Sequence, residues 1–156
     1  MTPGIKMAIR AGIAHQIHEY SHDPKAESYG TEAAEKLGLP PARVFKTLVL
    51  ALDTGELVVA VVPVSGLVSL KALARNAGAK KATMAEAAAV SRSTGYVLGG
   101  VSPLGQKKSL RTFLDESARP YESIYVSAGR RGLEIELAPS DLLALCRGSF
   151  AAIVQD

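Results

Sequence analysis

Two aliphatic, β-branched runs, Lys46 to Leu52 and Leu57 to Val62, stand on either side of Asp53-Thr54-Gly55-Glu56. No other feature constrains the fold as much. Such runs read as strands, and a short Asp/Gly-containing link between them is hairpin chemistry, so the two are expected to pair antiparallel. Helical signals surround this hairpin. Thr2-Pro3 opens a helix over about 3–11, with Thr as N-cap and Pro in the first turn. Further helices are expected over Thr31 to Leu37, Ser69 to Asn76 and Pro139 to Cys146, and another from Thr83, where Thr83-Met84-Ala85-Glu86 has the form of a capping box. Strands are expected at His15 to Tyr20, Leu110 to Leu114, Ser123 to Val126, Leu133 to Leu137 and Phe150 to Val154. Helices and strands interleave without a regular strand-helix-strand beat, which points to a mixed sheet flanked by helices.

The chain has 156 residues, 47% hydrophobic and 21% charged, so a single folded domain over 1–156 is expected. Trp is absent and aromatics make up 5%, so the core must be aliphatic. A formal net charge of +3 suits an anionic partner without establishing one. The longest apolar stretch, Leu57 to Val64, contains Pro63 and is too short to span a bilayer, and the N-terminus lacks the apolar core of a secretory signal. A cytoplasmic protein with no membrane association is expected. Cys146 is the only cysteine, which excludes an internal disulfide and a cysteine-based zinc site within the chain.

Chemistry concentrates in Ser93 to Lys108, whose Gly99 to Gly105 segment holds three glycines and one proline, Pro103. Such a loop can leave backbone N–H groups facing an anion or a developing oxyanion, and it can equally be an ordinary tight turn. It is not a nucleoside-triphosphate loop: Gly100 to Gly105 is followed by Gln106-Lys107-Lys108-Ser109, the wrong register, and Pro103 removes an N–H. Lys46 opens an aliphatic strand, where it can meet phosphate or polarise a carbonyl, or simply snorkel to the surface. His15 and His18 fall on opposite faces of an extended strand and His22 lies in a turn, so no metal site is expected, and no cofactor. No Gly-x-Ser-x-Gly elbow occurs, and Cys146 sits on an apolar helix stripe where a thiol is usually inert. Basic clusters at Lys80-Lys81, Lys107-Lys108-Arg111 and Arg130-Arg131 are solvated surface or a phosphate track.

Several of these segments together resemble the YbaK deacylases, whose fold is shared with the editing domain inserted in bacterial prolyl-tRNA synthetases. They are Met1-Thr2-Pro3, Ile17-His18 with Tyr20, His22-Asp23-Pro24, Val44-Phe45-Lys46-Thr47-Leu48, Ser93 to Lys108, Ile124-Tyr125-Val126-Ser127 and Arg131-Gly132-Leu133. The resemblance implies an α+β fold, a single compact domain with a curved mixed β-sheet flanked by helices. It implies an enzyme acting in trans on the acceptor end of aminoacyl-tRNA, above all tRNA for proline mischarged with cysteine, with prolyl-tRNA synthetase as a partner to consider. Lys46 matches the family's essential lysine, and Gly100, Ser102, Pro103 and Gly105 match its substrate-positioning loop. Tyr20, Tyr29, Thr47, Ser127 and Glu134 fall where the family lines its pocket. Well-known members carry Phe at Tyr29 and Asp at Glu134. The resemblance further implies that the substrate's own thiol attacks the ester carbonyl, which agrees with a sequence offering no triad. Two other readings stay open: a deacylase for alanine or serine on tRNA, and a non-catalytic tRNA- or synthetase-binding module.

Overall fold

A computed structural model of the chain describes residues 1–26 and 29–156, with Tyr29 described by its backbone alone. The elements run α1 (Pro3–Ala11), β1 (His15–Glu19), α2 (Tyr29–Leu37), β2 (Phe45–Leu52), β3 (Leu57–Pro63), α3 (Leu70–Asn76), β4 (Ala82–Met84), α4 (Ala87–Thr94), β5 (Arg111–Asp115), β6 (Ile124–Arg130), β7 (Leu133–Leu137), α5 (Pro139–Cys146) and β8 (Ser149–Ala151). The expected hairpin forms: β2 and β3 pair antiparallel from Phe45↔Pro63 to Ala51↔Leu57. The Thr2 hydroxyl caps α1 by accepting from Ile5 N–H, and Ser69 caps α3 by accepting from Ala72 N–H.

The strands form a five-stranded sheet in the order β4-β2-β3-β5-β8 and a three-stranded sheet in the order β1-β7-β6. The larger sheet is mixed, because β3–β5 and β5–β8 are parallel while β2 is antiparallel to both its neighbours. A single parallel bridge, Val44↔Tyr125, joins the two. Between them lies the main core, where Phe45, Val49, Val59 and Val61 meet Ile124, Val126, Ile135 and Leu137, closed by Ile5 and Ala8 of α1 and Leu142 of α5. The opposite face of the larger sheet buries Leu50, Val58, Ala60 and Val62 under Leu73 and Ala74 of α3. Ala33 and Ala34 of α2 cover Val44 and Tyr125 at the junction. Among the described residues no helix is long and apolar enough to cross a membrane.

Two expected elements are corrected. Ala82–Met84 is not the start of a helix but the edge strand β4, paired with Leu50, Ala51 and Leu52. The helix begins later, at Ala87, with Glu86 as an N-cap that makes no side-chain cap bond. Three backbone pairings along β2 outweigh the local preference of a Thr-x-x-Glu sequence. The strand expected to run to Val154 ends at Ala151, with Val154 making only an isolated bridge to Val68.

Candidate active site

The junction between the sheets creates the site. The Val44↔Tyr125 pairing is parallel and stops after that one pair. Continued for two more residues, it would have set Lys46 beside Ser127. Instead, both side chains border a gap between the strands, a cavity of about 50 Å³ lined by Tyr20, Gly30, Phe45, Lys46, Ser127, Arg130, Arg131 and Glu134. By the water-per-cavity measure of about 10–15 Å³, that space is on the scale of a few waters or a small acyl group.

Each lining residue arrives for a local reason. Lys46 pairs with Val62 on β3, while its neighbour Thr47 points to the other face of β2, toward the main core. The first turn of α2 closes over the lysine, for a Cβ on Gly30 would stand 2.4 Å from Val64 Cγ1 and 3.9 Å from Lys46 Cβ. Ser127 and Glu134 are cross-strand partners, with His18 paired to Glu134 on its other side. Tyr20 follows β1 and is tied to the β6–β7 turn by its N–H, which donates to Gly132 O at 3.0 Å. On α2, Glu32 accepts from His22 Nδ1 and from Asp23 N–H, both at 2.7 Å, tying the segment before the helix to it.

The electrostatics are unusual. Lys46 is half-buried with no hydrogen bond or ion pair among the described residues, and burial alone holds its ammonium below the ordinary lysine range. Glu134 is 6% exposed and equally without a hydrogen-bond partner, and burial pushes its carboxyl up to about 8. Glu136, two residues along the same face, fares differently. Burial favours its neutral form, but hydrogen bonds with Ser123 and His18 outweigh burial and hold it below the usual carboxylate range. Burial also raises the Tyr20 hydroxyl, a Gly132 backbone hydrogen bond opposes that, and the charge of Glu134 adds to it.

The glycine loop meets this cavity at one end only. A Cβ on Gly100 would fall 3.2 Å from Arg130 Cα and 3.5 Å from Arg131 N, so the absence of a side chain lets the loop lie directly against the turn that carries both arginines. Leu98 O accepts from the Arg131 guanidinium at 3.4 Å. Further along, Ser102 and Pro103 are buried, and Gly105, at φ +68°, abuts the Pro3 carbonyl carbon, which a Cβ would approach to 2.5 Å. The Tyr96 hydroxyl donates to Leu104 O at 2.6 Å, and Ser102 Oγ accepts from Leu104 N–H. Several of the loop's N–H groups are thus already engaged, Gly100 N–H with Val97 O and Gly105 N–H with Met7 Sδ among them.

Of the residues nominated from sequence, the structure brings together Tyr20, Lys46, Ser127 and Glu134, with Gly100 at the edge. Thr47 faces the core, where its Oγ1 is buried without a hydrogen-bond partner. Ser102, Pro103 and Gly105 pack against α1, the latter two bordering a separate small cavity that also holds Cys146. The side chain of Tyr29 lies outside the described residues. Sequence reading missed Gly30, whose signal was only its place at a helix start, and left Arg130 and Arg131 as either solvated surface or a phosphate track, whereas both line the cavity. Among the described residues no group of His, Cys, Asp and Glu is placed to hold a metal ion.

An α+β domain with a small, cation-rimmed cavity and an unactivated hydroxyl is suited to positioning a reactive acyl ester. Ser127 has no histidine among the cavity-lining residues, and its Oγ accepts from Gly129 N–H at 3.1 Å. Comparison with known proteins gives this class a family. The model of the aminoacyl-tRNA editing domain matches residues 23–145. A protein of Enterococcus faecalis named "Putative Cys-tRNA(Pro)/Cys-tRNA(Cys) deacylase EbsC" is 47% identical over 97% of this chain and 92% of its own. A solved structure described as a "putative trans-editing enzyme for prolyl tRNA synthetase" superposes with TM-score 0.85 at 22% identity, covering 100% of this chain and 99% of its own. The hypothetical protein APE2540 superposes with TM-score 0.87 at 21% identity over 99% of this chain and 100% of its own. The chain belongs to the aminoacyl-tRNA editing domain family.

Proposed function

We propose that the whole chain is one trans-acting editing domain that releases cysteine from Cys-tRNA(Pro) and Cys-tRNA(Cys), using the thiol of the bound cysteine as nucleophile. The observation that carries this reading is the Lys46 cavity: among the described residues it holds the Lys46 ammonium without an ion pair and a carboxyl that burial pushes toward its neutral form, but no activated side-chain nucleophile. The likeness to the E. faecalis protein supports the substrate. Cys146 supplies no alternative, since it borders a different cavity and burial pushes its thiol up.

In this mechanism Lys46 and the adjacent arginines set a positive potential around the ester carbonyl and the terminal phosphate. A free thiol ionises near about 8.5, so that potential leaves useful thiolate at neutral pH. The thiolate sulfur bonds to the carbonyl carbon, the oxyanion forms beside the cations, and the carbon–oxygen bond to the ribose then breaks. The ribose oxygen takes a proton from water, and a cyclic thioester departs. A pocket alone separates side chains differing by one small group only about 10- to 200-fold, so the substrate's sulfur supplies selectivity that packing cannot. Prolyl-tRNA synthetase is the partner this reading suggests for delivery of the mischarged tRNA.

Turnover of cysteinyl- and seryl-tRNA by the purified protein tests the proposal. Oxygen in place of sulfur leaves size almost unchanged and removes the nucleophile, so cysteine release should be faster by at least about a hundredfold. Equal rates would refute thiol assistance, and no release from either would refute the deacylase reading.

A further inference from the structure

The mechanism above makes no use of Glu134. This carboxyl lies on β7, opposite Ser127 in the register, and opens on the cavity that Lys46 also lines. No hydrogen bond or ion pair satisfies it among the described residues. Isolated buried carboxyls are costly and uncommon in folded proteins, and one aimed into a cavity is an incomplete site. Glu136 shows that this face can satisfy a carboxylate, because His18, Ser123 and Arg43 surround it.

The groups facing Glu134 are Lys46 from β2, Tyr20 after β1, Ser127 from β6, and Arg130 and Arg131 at the turn, with His18 beside it in the register but turned to Glu136. Among the described residues every charged neighbour in the cavity is a cation. An aminoacyl ester offers those cations a phosphate and a carbonyl oxygen. It offers one cation of its own, the α-ammonium, and among the described residues Glu134 is the acidic side chain lining the cavity that can receive it. On this basis, and resting on the deacylase reading, we propose that Glu134 recognises the free α-amino group of the bound acyl ester, so that the site accepts aminoacyl esters and rejects N-acylated or peptidyl ones. An N-acylated ester loses the cation and brings extra bulk to a cavity of about 50 Å³. The empty carboxyl holds its proton because burial favours the neutral form; the arriving amine supplies the counter-charge that makes ionisation favourable.

Two measurements test this. The first compares release from cysteinyl-tRNA and N-acetylcysteinyl-tRNA by wild type, Glu134→Gln and Glu134→Asp. A hydrogen bond to a charged group is worth roughly a 10- to 100-fold preference, so wild type should favour the free amine by at least that factor. Glu134→Gln should collapse the ratio by slowing the free-amine substrate alone, and Glu134→Asp should restore part of it. The second measures binding of the stable amide 3′-cysteinylamino-3′-deoxyadenosine and its N-acetyl form, which needs no turnover. If wild type handles free and N-acetylated substrates alike, or if Glu134→Gln keeps the full ratio, the assignment is overturned. Preferential, Glu134-dependent binding of the free amine without any release would retain the assignment and overturn the deacylase reading instead; release with no role for Glu134 would do the reverse.

Discussion

Replacing Lys46 with alanine separates chemistry from folding cleanly, and the structure sets both magnitudes. Loss of a charge that stabilises a developing oxyanion typically slows turnover about 100- to 1000-fold, and Lys46 is the half-buried ammonium of the cavity. The same side chain makes no ion pair or hydrogen bond among the described residues, so its removal strands no partner. Stability should even gain slightly. Burial lowers the Lys46 pKa from the ordinary 10.5, so the unfolded chain binds that proton more tightly than the folded one. The charged lysine therefore weakens the fold at neutral pH, and the penalty fades as pH rises toward the ordinary value. Partial exposure screens the effect, and lost packing of the aliphatic stem opposes it, leaving a net change within about 1 kcal/mol. Single-turnover release from cysteinyl-tRNA, followed alongside thermal unfolding, reads both quantities. A variant within about threefold of wild-type rate would refute the role given to the ammonium. A large fall in Tm would show that the lysine is structural and that any lost activity reports unfolding.

Three further outcomes follow from the same geometry. Gly105→Ala should lower stability by about 3 kcal/mol, or roughly 6–12 °C in Tm, because φ +68° and a 2.5 Å approach to Pro3 leave a methyl group no room; a melt within about 2 °C of wild type would contradict this packing. Glu134→Gln should be more stable than wild type near pH 7 and no more stable below pH 4.5. Folded Glu134 titrates at about 8 against an ordinary 4.5, so the stability of its protonated form is lost progressively as pH rises between those values, a loss of about 3 kcal/mol by pH 7. Urea unfolding of both proteins at the two pH values checks the sign, and a gap that does not change with pH would contradict it. Cys146→Ala should release cysteine within about twofold of wild type, since the thiol borders another cavity; a large loss would make it a participant.

How much of this could be read in the sequence depends on the range of the contacts involved. The β2–β3 hairpin was legible because strand, turn and partner lie within a few residues of one another. The Thr83 capping box misled because its competitor, the edge of β2, lies thirty-odd residues upstream in the chain and leaves no mark on the local sequence. The parallel pairings of β5 with β3 and β8 were invisible for the same reason, as periodicity identifies a strand but not its neighbour. Lys46 and Glu134 could each be nominated, the latter by resemblance, yet nothing local distinguishes Glu134, unpartnered among the described residues, from the well-bonded Glu136. That difference arises where a parallel pairing breaks off after Val44↔Tyr125 and leaves Lys46 and Ser127 on opposite banks of a gap. The candidate site thus follows from how two sheets fail to merge, since Lys46 and Ser127 border the gap between β2 and β6 instead of sitting side by side in one ladder.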